Sequence, residues 1–235
     1  MGAFLIAHQL LRGGSVSGTV DATYVENWLV DGAPGTPIQR TGNLSAVVTP
    51  PSTQTIDLFA LVNHMVDVSA SISGSATATI PAAALDGEGI RFNPFVRINP
   101  VSVGAALTLT VTGNASPVII GELWGGLAVE FEPYELDLDP GEPFAWESEF
   151  SSIPPYDSGL SHPRRLSGEV IMTASQLAQV KAVYAASRRG SRPVLIVPDE
   201  DVNDAWCAVF RYTARYEDTL YRVTLQASEI HRTRW

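Results

Sequence analysis

The feature that most limits the fold is a missing one: before residue 170 no stretch sustains the 3.6-residue apolar period of an amphipathic helix. What recurs instead, from Ser15 to about Gly126, is short runs rich in Val, Ile, Thr and Ser between Gly and Pro turns. They read LSAVVTP, TIDLFALVN, VSASISGSATATI, FVRINPVS, ALTLTVTG and PVIIGELWGG. In ALTLTVTG the alternation is strict, with Leu107, Leu109 and Val111 on one side and Thr108, Thr110 and Thr112 on the other. Short strands at this spacing predict a β-sandwich or barrel.

The pattern changes near residue 130. Residues 130–149 alternate acids with Phe131, Tyr134, Leu136 and Leu138, which predicts a half-exposed strand whose charge protects its edge. The Pro- and Ser-dense FSSIPPYDSGLSHP then reads as a linker. One helix follows, over 174–187. Thr173 and Gln176 have the spacing of a capping box, Leu177, Val180 and Tyr184 share a face, and Gly190 supplies the stop. Arg188 and Arg189 are expected in its last turn, where cations suit the helix dipole. Three strands close the chain: RPVLIVPD, AWCAVFRYTARYE and LYRVTLQASEI. The expected fold class is mainly β: a sandwich over 1–130, an acidic strand and Pro-rich linker over 131–160, and a smaller β-rich (α+β) unit with one helix over 161–235.

Composition removes several function classes. A net charge of −10 argues against a nucleic-acid footprint, which needs a basic face, and against an anionic membrane surface. The single cysteine, Cys207, allows no intrachain disulfide, and it sits in the apolar AWCAVF as a core residue. No run has the length of a membrane-spanning helix and no signal-peptide pattern opens the chain, so a protein made in the cytosol without membrane insertion is expected.

Asn63 and His64 close the apolar run IDLFALVNHMVD and are the residues most suggestive of chemistry. As a site they would need a nucleophile, a base and an orienting acid, or further metal ligands. His8, His162 and His231 stand in no ligand spacing, and no nucleophile elbow, phosphate loop or dinucleotide fingerprint is present. The pair is therefore expected to satisfy backbone groups at a strand end. The acids of 130–149 could hold Ca²⁺, but their spacing fits no EF-hand loop and Pro133, Pro140 and Pro143 interrupt it. No catalytic residue, cofactor or metal site is expected. Trp28, Asp31 and Trp124 are the candidates for sugar contact, against a default of buried aromatic core.

Two groups of residues carry a resemblance. NWLVDGAPGTPIQRTG, IDLFALVNHMV and VIIGELWGG resemble the galactose-binding-like (discoidin-type) jelly roll found in tailed-phage minor tail and tail-tip proteins, over about residues 20–130. Ile56, Asp57, Ala60, Leu61, Asn63 and His64 match one of its strands, and Ile120 to Leu123 match a later one. RRLSGEVIMTASQLAQVKAVY, GSRPVLIVPDED and YRVTLQASEI are similar to phage distal-tail and baseplate modules, over about 160–230. The resemblance implies a structural protein of the virion tail tip. It would dock other tail proteins, form a homo-oligomer on a three- or six-fold axis, and serve host attachment in part. Arg164, Arg165, Arg188 and Arg189 are the expected assembly contacts. The alternative is a carbohydrate-binding module recognising a host surface glycan.

Overall fold

The computed structural model describes residues 3–18, 20–21, 23–85, 91–131, 135–139 and 164–230, the 135–139 segment by its backbone. The chain is mainly β with one α-helix among the described residues. In chain order the strands are β1 (Phe4–Ala7), β2 (Ser15–Gly18), β3 (Ile38–Arg40), β4 (Leu44–Thr49), β5 (Gln54–His64), β6 (Ala70–Gly74), β7 (Ala78–Ile80) and β8 (Phe95–Val103). They continue as β9 (Leu107–Val111), β10 (Val118–Gly126), β11 (Ala128–Phe131), β12 (Glu135–Asp139), β13 (Arg165–Met172), β14 (Val194–Val197), β15 (Trp206–Glu217) and β16 (Leu220–Glu229), with the helix α1 (Ala174–Ala186) between β13 and β14.

These elements stack in four layers. A five-stranded sheet, ordered β2-β4-β9-β6-β7, faces a four-stranded sheet, ordered β3-β10-β5-β8. Between them lies a core that includes Leu44, Val48, Ile72, Leu107 and Leu109 from one side and Ile56, Phe59, Leu61 and Leu123 from the other. This is the β-sandwich. The outer face of the four-stranded sheet then meets a seven-stranded antiparallel sheet, ordered β11-β1-β14-β15-β16-β13-β12, through Leu58, Ala60, Val62, Trp124, Leu5, Ala7, Leu195, Val197 and Cys207. On the far side of that sheet α1 buries Leu177, Val180 and Val183 against Phe4, Ile6, Val194, Ile196 and Val223.

This layering explains which strands alternate and which do not. A sheet covered on both faces needs apolar side chains on both, so its strands read as continuous hydrophobic runs. Residues 56–64 of β5 are all buried, and Leu58, Ala60 and Val62 point away from Phe59 and Leu61 into a different core. FLIA of β1 and VLIV of β14 divide in the same way. In β9, by contrast, the threonines are half-exposed and the Leu107, Leu109 and Val111 face is buried, as the alternation predicted.

Two observations revise the expected organisation. The range 1–130 does not coincide with the sandwich, because β1 and β11 pair with each other and β1 pairs with β14 inside the seven-stranded sheet. A short all-apolar strand is stable only where both its faces and both its edges are covered: β11 and β14 cover the edges of β1, and the four-stranded sheet and α1 cover its faces. The helix keeps its capping box: the Gln176 N–H donates to Thr173 Oγ1 at 3.2 Å and the Thr173 N–H donates to Gln176 Oε1 at 3.0 Å. It stops at Ala186, however, so Arg188 and Arg189 lie beyond its last turn. They have φ of 51° and 57°, followed by Gly190 at 81°. Three successive left-handed residues turn the chain back toward β14, and Gly190 is needed where its Cα passes Phe210, since a Cβ there would lie 2.8 Å from the Phe210 carbonyl oxygen.

Candidate functional site

Asn63 and His64 sit at the C-terminal end of β5, where the four-stranded sheet meets the seven-stranded one. Asn63 adopts φ 51°, a left-handed conformation that Asn tolerates better than most residues. Its N–H donates to Asn93 Oδ1 at 2.9 Å and its side-chain amide donates to the Pro34 carbonyl at 2.7 Å. His64 Nδ1 accepts from the Val66 N–H at 3.0 Å, so Nε2 must carry the proton and donate to the Phe92 carbonyl at 3.1 Å. Burial holds the imidazole well below its ordinary range, at about 4. With both nitrogens occupied and the ring neutral and sealed, it has neither a free lone pair nor access to substrate. The expectation that the pair serves the backbone at a strand end agrees with this geometry.

The same seam continues into the second half of the chain. The Asn93 N–H donates to Asp204 Oδ1 at 2.9 Å and its side-chain amide to the Ala205 carbonyl at 2.8 Å, while the Phe95 N–H donates to Asn203 Oδ1 at 3.1 Å. Arg164 donates to Asp204 and, with two nitrogens at 2.8 and 2.7 Å, to both carboxylate oxygens of Glu229. Its guanidinium lies 4.4 Å from the ring centroid of Trp206. Arg164, expected at an assembly surface, is thus a buried structural cation. It neutralises two buried acids that would otherwise be strongly destabilising.

A third polar group is enclosed between the sheets. Glu122 on β10 has no exposed surface, and burial raises its carboxyl to about 8, opposed in part by the hydrogen bond from Gln9 Nε2 to Oε1 at 2.9 Å. Its Oε2 has no partner among the described residues. A neutral carboxylic acid at pH 7 has the form of a general acid, but a general acid must reach a substrate. Glu122 is sealed. Cys207 is equally buried and its thiol is pushed well above its ordinary range, first by burial, which makes it inert. No group of three or more His, Cys, Asp or Glu able to hold a metal occurs among the described residues.

The sugar-contact candidates are not assembled into one platform. Trp124 is fully buried between the sheets, because its position on β10 points to the doubly covered face. Asp31 is consumed by its own turn, accepting from the Ala33 N–H at 2.7 Å and the Thr36 hydroxyl at 3.1 Å. Trp28 is half-buried in a 3-10 turn (Glu26–Val30), edge-on to Tyr24 at 6.3 Å. The Tyr24 hydroxyl donates to Gln39 Oε1 at 3.0 Å, and Arg40 and Asp21 pair nearby at 3.6 Å.

Of the other assembly candidates, Arg165 is exposed on β13, where with Ser167, Arg211 and Gln226 it borders a depression of about 440 Å³. Arg188 and Arg189 are exposed beside Gly190. Within the acidic 130–149 range, Glu130 has a described side chain; it pairs with Arg97, which also meets Asp57 at 3.4 Å and Glu200 at 3.8 Å. Glu135, Asp137 and Asp139 lie on β12, which is described by its backbone, and residues 140–163 lie outside the described residues.

One surface feature was not among the expected sites. β15 and β16 pair from Ala208↔Glu229 to Glu217↔Leu220, but β14 accompanies β15 only at Trp206–Ala208. Beyond that point β16 keeps β13 as its other neighbour out to Tyr221, while β15 runs along the sheet's margin, and residues 213–220 are all exposed. The hairpin ends in a two-residue turn with Asp218 at φ 54°. Tyr216 is 62% exposed and Leu220 40% exposed, and Tyr216 stands 5.1 Å from Tyr221. The aromatic RYTARYE could have marked this strand as one with interaction potential; its missing neighbour had no sequence signal.

No protein-family model matches the chain, and no curated protein matches it. Among solved structures it is similar to the family 32 CBM of C. perfringens NanJ in complex with galactose, at 12% identity and a TM-score of 0.41, over 52% of this chain and 99% of that one. It is also similar to the lectin domain of lectinolysin complexed with Lewis B antigen, at 12% identity and 0.39, over 50% and 95%. A putative alpha-L-fucosidase from Bacteroides thetaiotaomicron is similar at 20% identity and 0.39, over 50% of this chain and 28% of that one. The likeness therefore concerns the course of about half the backbone, and the matched region spans little more than a quarter of the fucosidase.

Proposed function

We propose that this chain is a non-catalytic structural protein that works by docking neighbouring protein subunits, with the tail tip or baseplate of a tailed-phage virion as its setting. The observation that carries the reading is the β15–β16 ribbon. Tyr216 and Leu220 are exposed at the tip of this hairpin, outside the buried cores, and Tyr is a residue type enriched at protein interfaces. The polar groups that could have carried chemistry are engaged or enclosed: His64 and Asn63 hold backbone, Arg164 neutralises Asp204 and Glu229, and Glu122 and Cys207 are sealed. The virion setting, the docking of other tail proteins and a ring on a three- or six-fold axis rest on the sequence resemblance. Tyr216→Lys with Leu220→Lys tests the reading: the variant should fold with an unchanged melt yet fail to copurify with tail-tube components. Normal incorporation of the folded variant refutes it.

A second reading, a glycan-binding module, is favoured by the Tyr24–Trp28 pair flanked by Gln39, Arg40 and Asp21, since a partly exposed aromatic beside hydrogen-bonding groups suits a sugar ring. Glycan-array binding that is lost in Trp28→Ala supports it, and a blank array refutes it.

A further inference from the structure

We infer that the open edge of β15, Arg211–Glu217, pairs antiparallel with the same edge of a second copy of this chain about a two-fold axis through Ala214. This names the partner of the ribbon on which the proposed function rests, and so depends on that reading. Among the described residues the inner part of β15 has β14 on one side and β16 on the other. At Phe210 the 188–191 loop takes over from β14, because Gly190 approaches the Phe210 carbonyl. From Arg211 to Glu217 one side of the strand carries β16 and the other side carries no strand among the described residues. Seven residues rich in Tyr, Thr and Arg, along an edge that no described strand pairs, form a template for strand addition.

The occupant follows from the sequence of that edge. A two-fold axis normal to a continuous sheet requires one residue on the axis, since side chains on one face must meet side chains on the same face. The register that uses all seven residues is centred on Ala214. It sets Arg211 opposite Glu217 of the second copy, Tyr212 opposite Tyr216, and Thr213 opposite Arg215, with each pair occurring twice. Opposite charges and aromatic pairs are the cross-strand combinations that stabilise antiparallel sheets. The neighbouring registers are poor: centring on Thr213 sets Arg211 against Arg215, and centring on Arg215 sets that arginine against itself.

The ends fit as well. In the Ala214 register the second copy's strand finishes opposite Arg211, where the 188–191 loop begins. Its turn acids, Glu217 and Asp218, arrive next to a loop that carries exposed Arg188 and Arg189. The contact is isologous and separate from any head-to-tail ring contact. Because the shared edge is short, association is expected to be weak and needs protein concentrations of roughly 10–100 μM to appear.

The test uses the full chain. Ala214→Cys should form a disulfide-linked dimer under mild oxidation, because residues directly opposite in an antiparallel pair have Cα atoms about 4.5–5.5 Å apart. Thr213→Cys should not, since its twin lies diagonally across the axis; Cys207 is buried and does not compete. In sedimentation, Arg211→Glu and Glu217→Arg should each weaken the dimer about tenfold, while the double variant restores it. Glu217 also pairs with Arg222 at 3.2 Å in its own chain, so melts of each variant serve as folding controls. A monomer throughout the concentration range, or a dimer indifferent to both reversals, overturns the self-pairing. If that monomer still loses its place in the particle on Tyr216→Lys, the assembly reading stands and only the identity of the partner is refuted.

Discussion

Replacing Glu122 by Gln should reverse its effect on stability as pH rises. In the folded chain burial lifts this carboxyl to about 8, against about 4.5 when exposed. The folded state therefore holds a proton that the unfolded state releases above pH 4.5. Its contribution is fully present below that pH and is lost as pH climbs to 8. At 1.36 kcal/mol per tenfold the span amounts to about 5 kcal/mol. His64 works in the opposite sense. Its folded value of about 4 against 6.5 gives a contribution that is present above 6.5 and lost as pH falls toward 4, about 3 kcal/mol in all. Between pH 4.5 and 6.5 the two slopes cancel, and above 6.5 the Glu122 slope acts alone. Glu122→Gln keeps the Gln9 contact but leaves an amide N–H unpaired where Oε2 stood, a penalty of about 1–3 kcal/mol. The variant should then be less stable than the parent at pH 4.5 by that amount, and more stable at pH 8 by about 2–4 kcal/mol. Urea melts of both proteins at half-unit steps isolate the difference, because every other titration is common to both. Parallel stability curves across the whole range would sink the claim that Glu122 is a buried neutral acid.

Three further outcomes are expected. Arg164→Met should lower stability by about 3–5 kcal/mol, because Asp204 and Glu229 remain buried without their cation; a shift in the urea midpoint worth less than 1 kcal/mol would show that the two acids find solvent or protons cheaply. Leu177→Ala should cost about 2–5 kcal/mol, since Leu177 is buried under α1, whereas Gln176→Ala removes an exposed cap contact worth about 1 kcal/mol; equal losses in denaturant would contradict the packing of the helix. Gly190→Ala should destabilise by more than about 1 kcal/mol, as a Cβ meets the Phe210 carbonyl and a left-handed backbone at once, and an unchanged melt would show that the loop shifts freely.

The half-exposed strands were the legible ones. β9 shows its period because one face meets the core and the other carries half-exposed threonines, and α1 shows its cap because Thr173 and Gln176 lie three residues apart. The second interface was hidden for a physical reason: β1, β5 and β14 are buried on both faces, so they carry no alternation to say which face meets which layer. Tyr184 shared the helical face of Leu177 and Val180 in the sequence, yet it is half-buried, edge-on to Phe210 and Tyr212, while Val183 fills the core. The polar seam draws on residues 63–64, 93, 164, 204 and 229, too scattered for any motif. Arg164 therefore read as a surface cation. The hairpin at 213–220 was visible as strand; that no described strand covers the β15 edge follows from β14 being only four residues long.

The placement of β1 sets an order of events during synthesis. Residues 4–7 are synthesised well before their partners at 128–131 and 195–197, which emerge more than a hundred residues later. At about 5–20 residues per second the strand waits on the order of ten seconds or more with two apolar faces and two open edges. Closing so distant a pairing is slow by topology, so completing the seven-stranded sheet should be a late step in folding. The sandwich strands can pair while this happens, but the layer between the sheets cannot close without Leu5 and Ala7. A fragment starting after β11 would lack both strands beyond β14 and present VLIV as a bare apolar edge. The two halves of this chain are thus contiguous in sequence but not separable in manufacture, and a nascent-chain holdase would have its clearest task at residues 4–7.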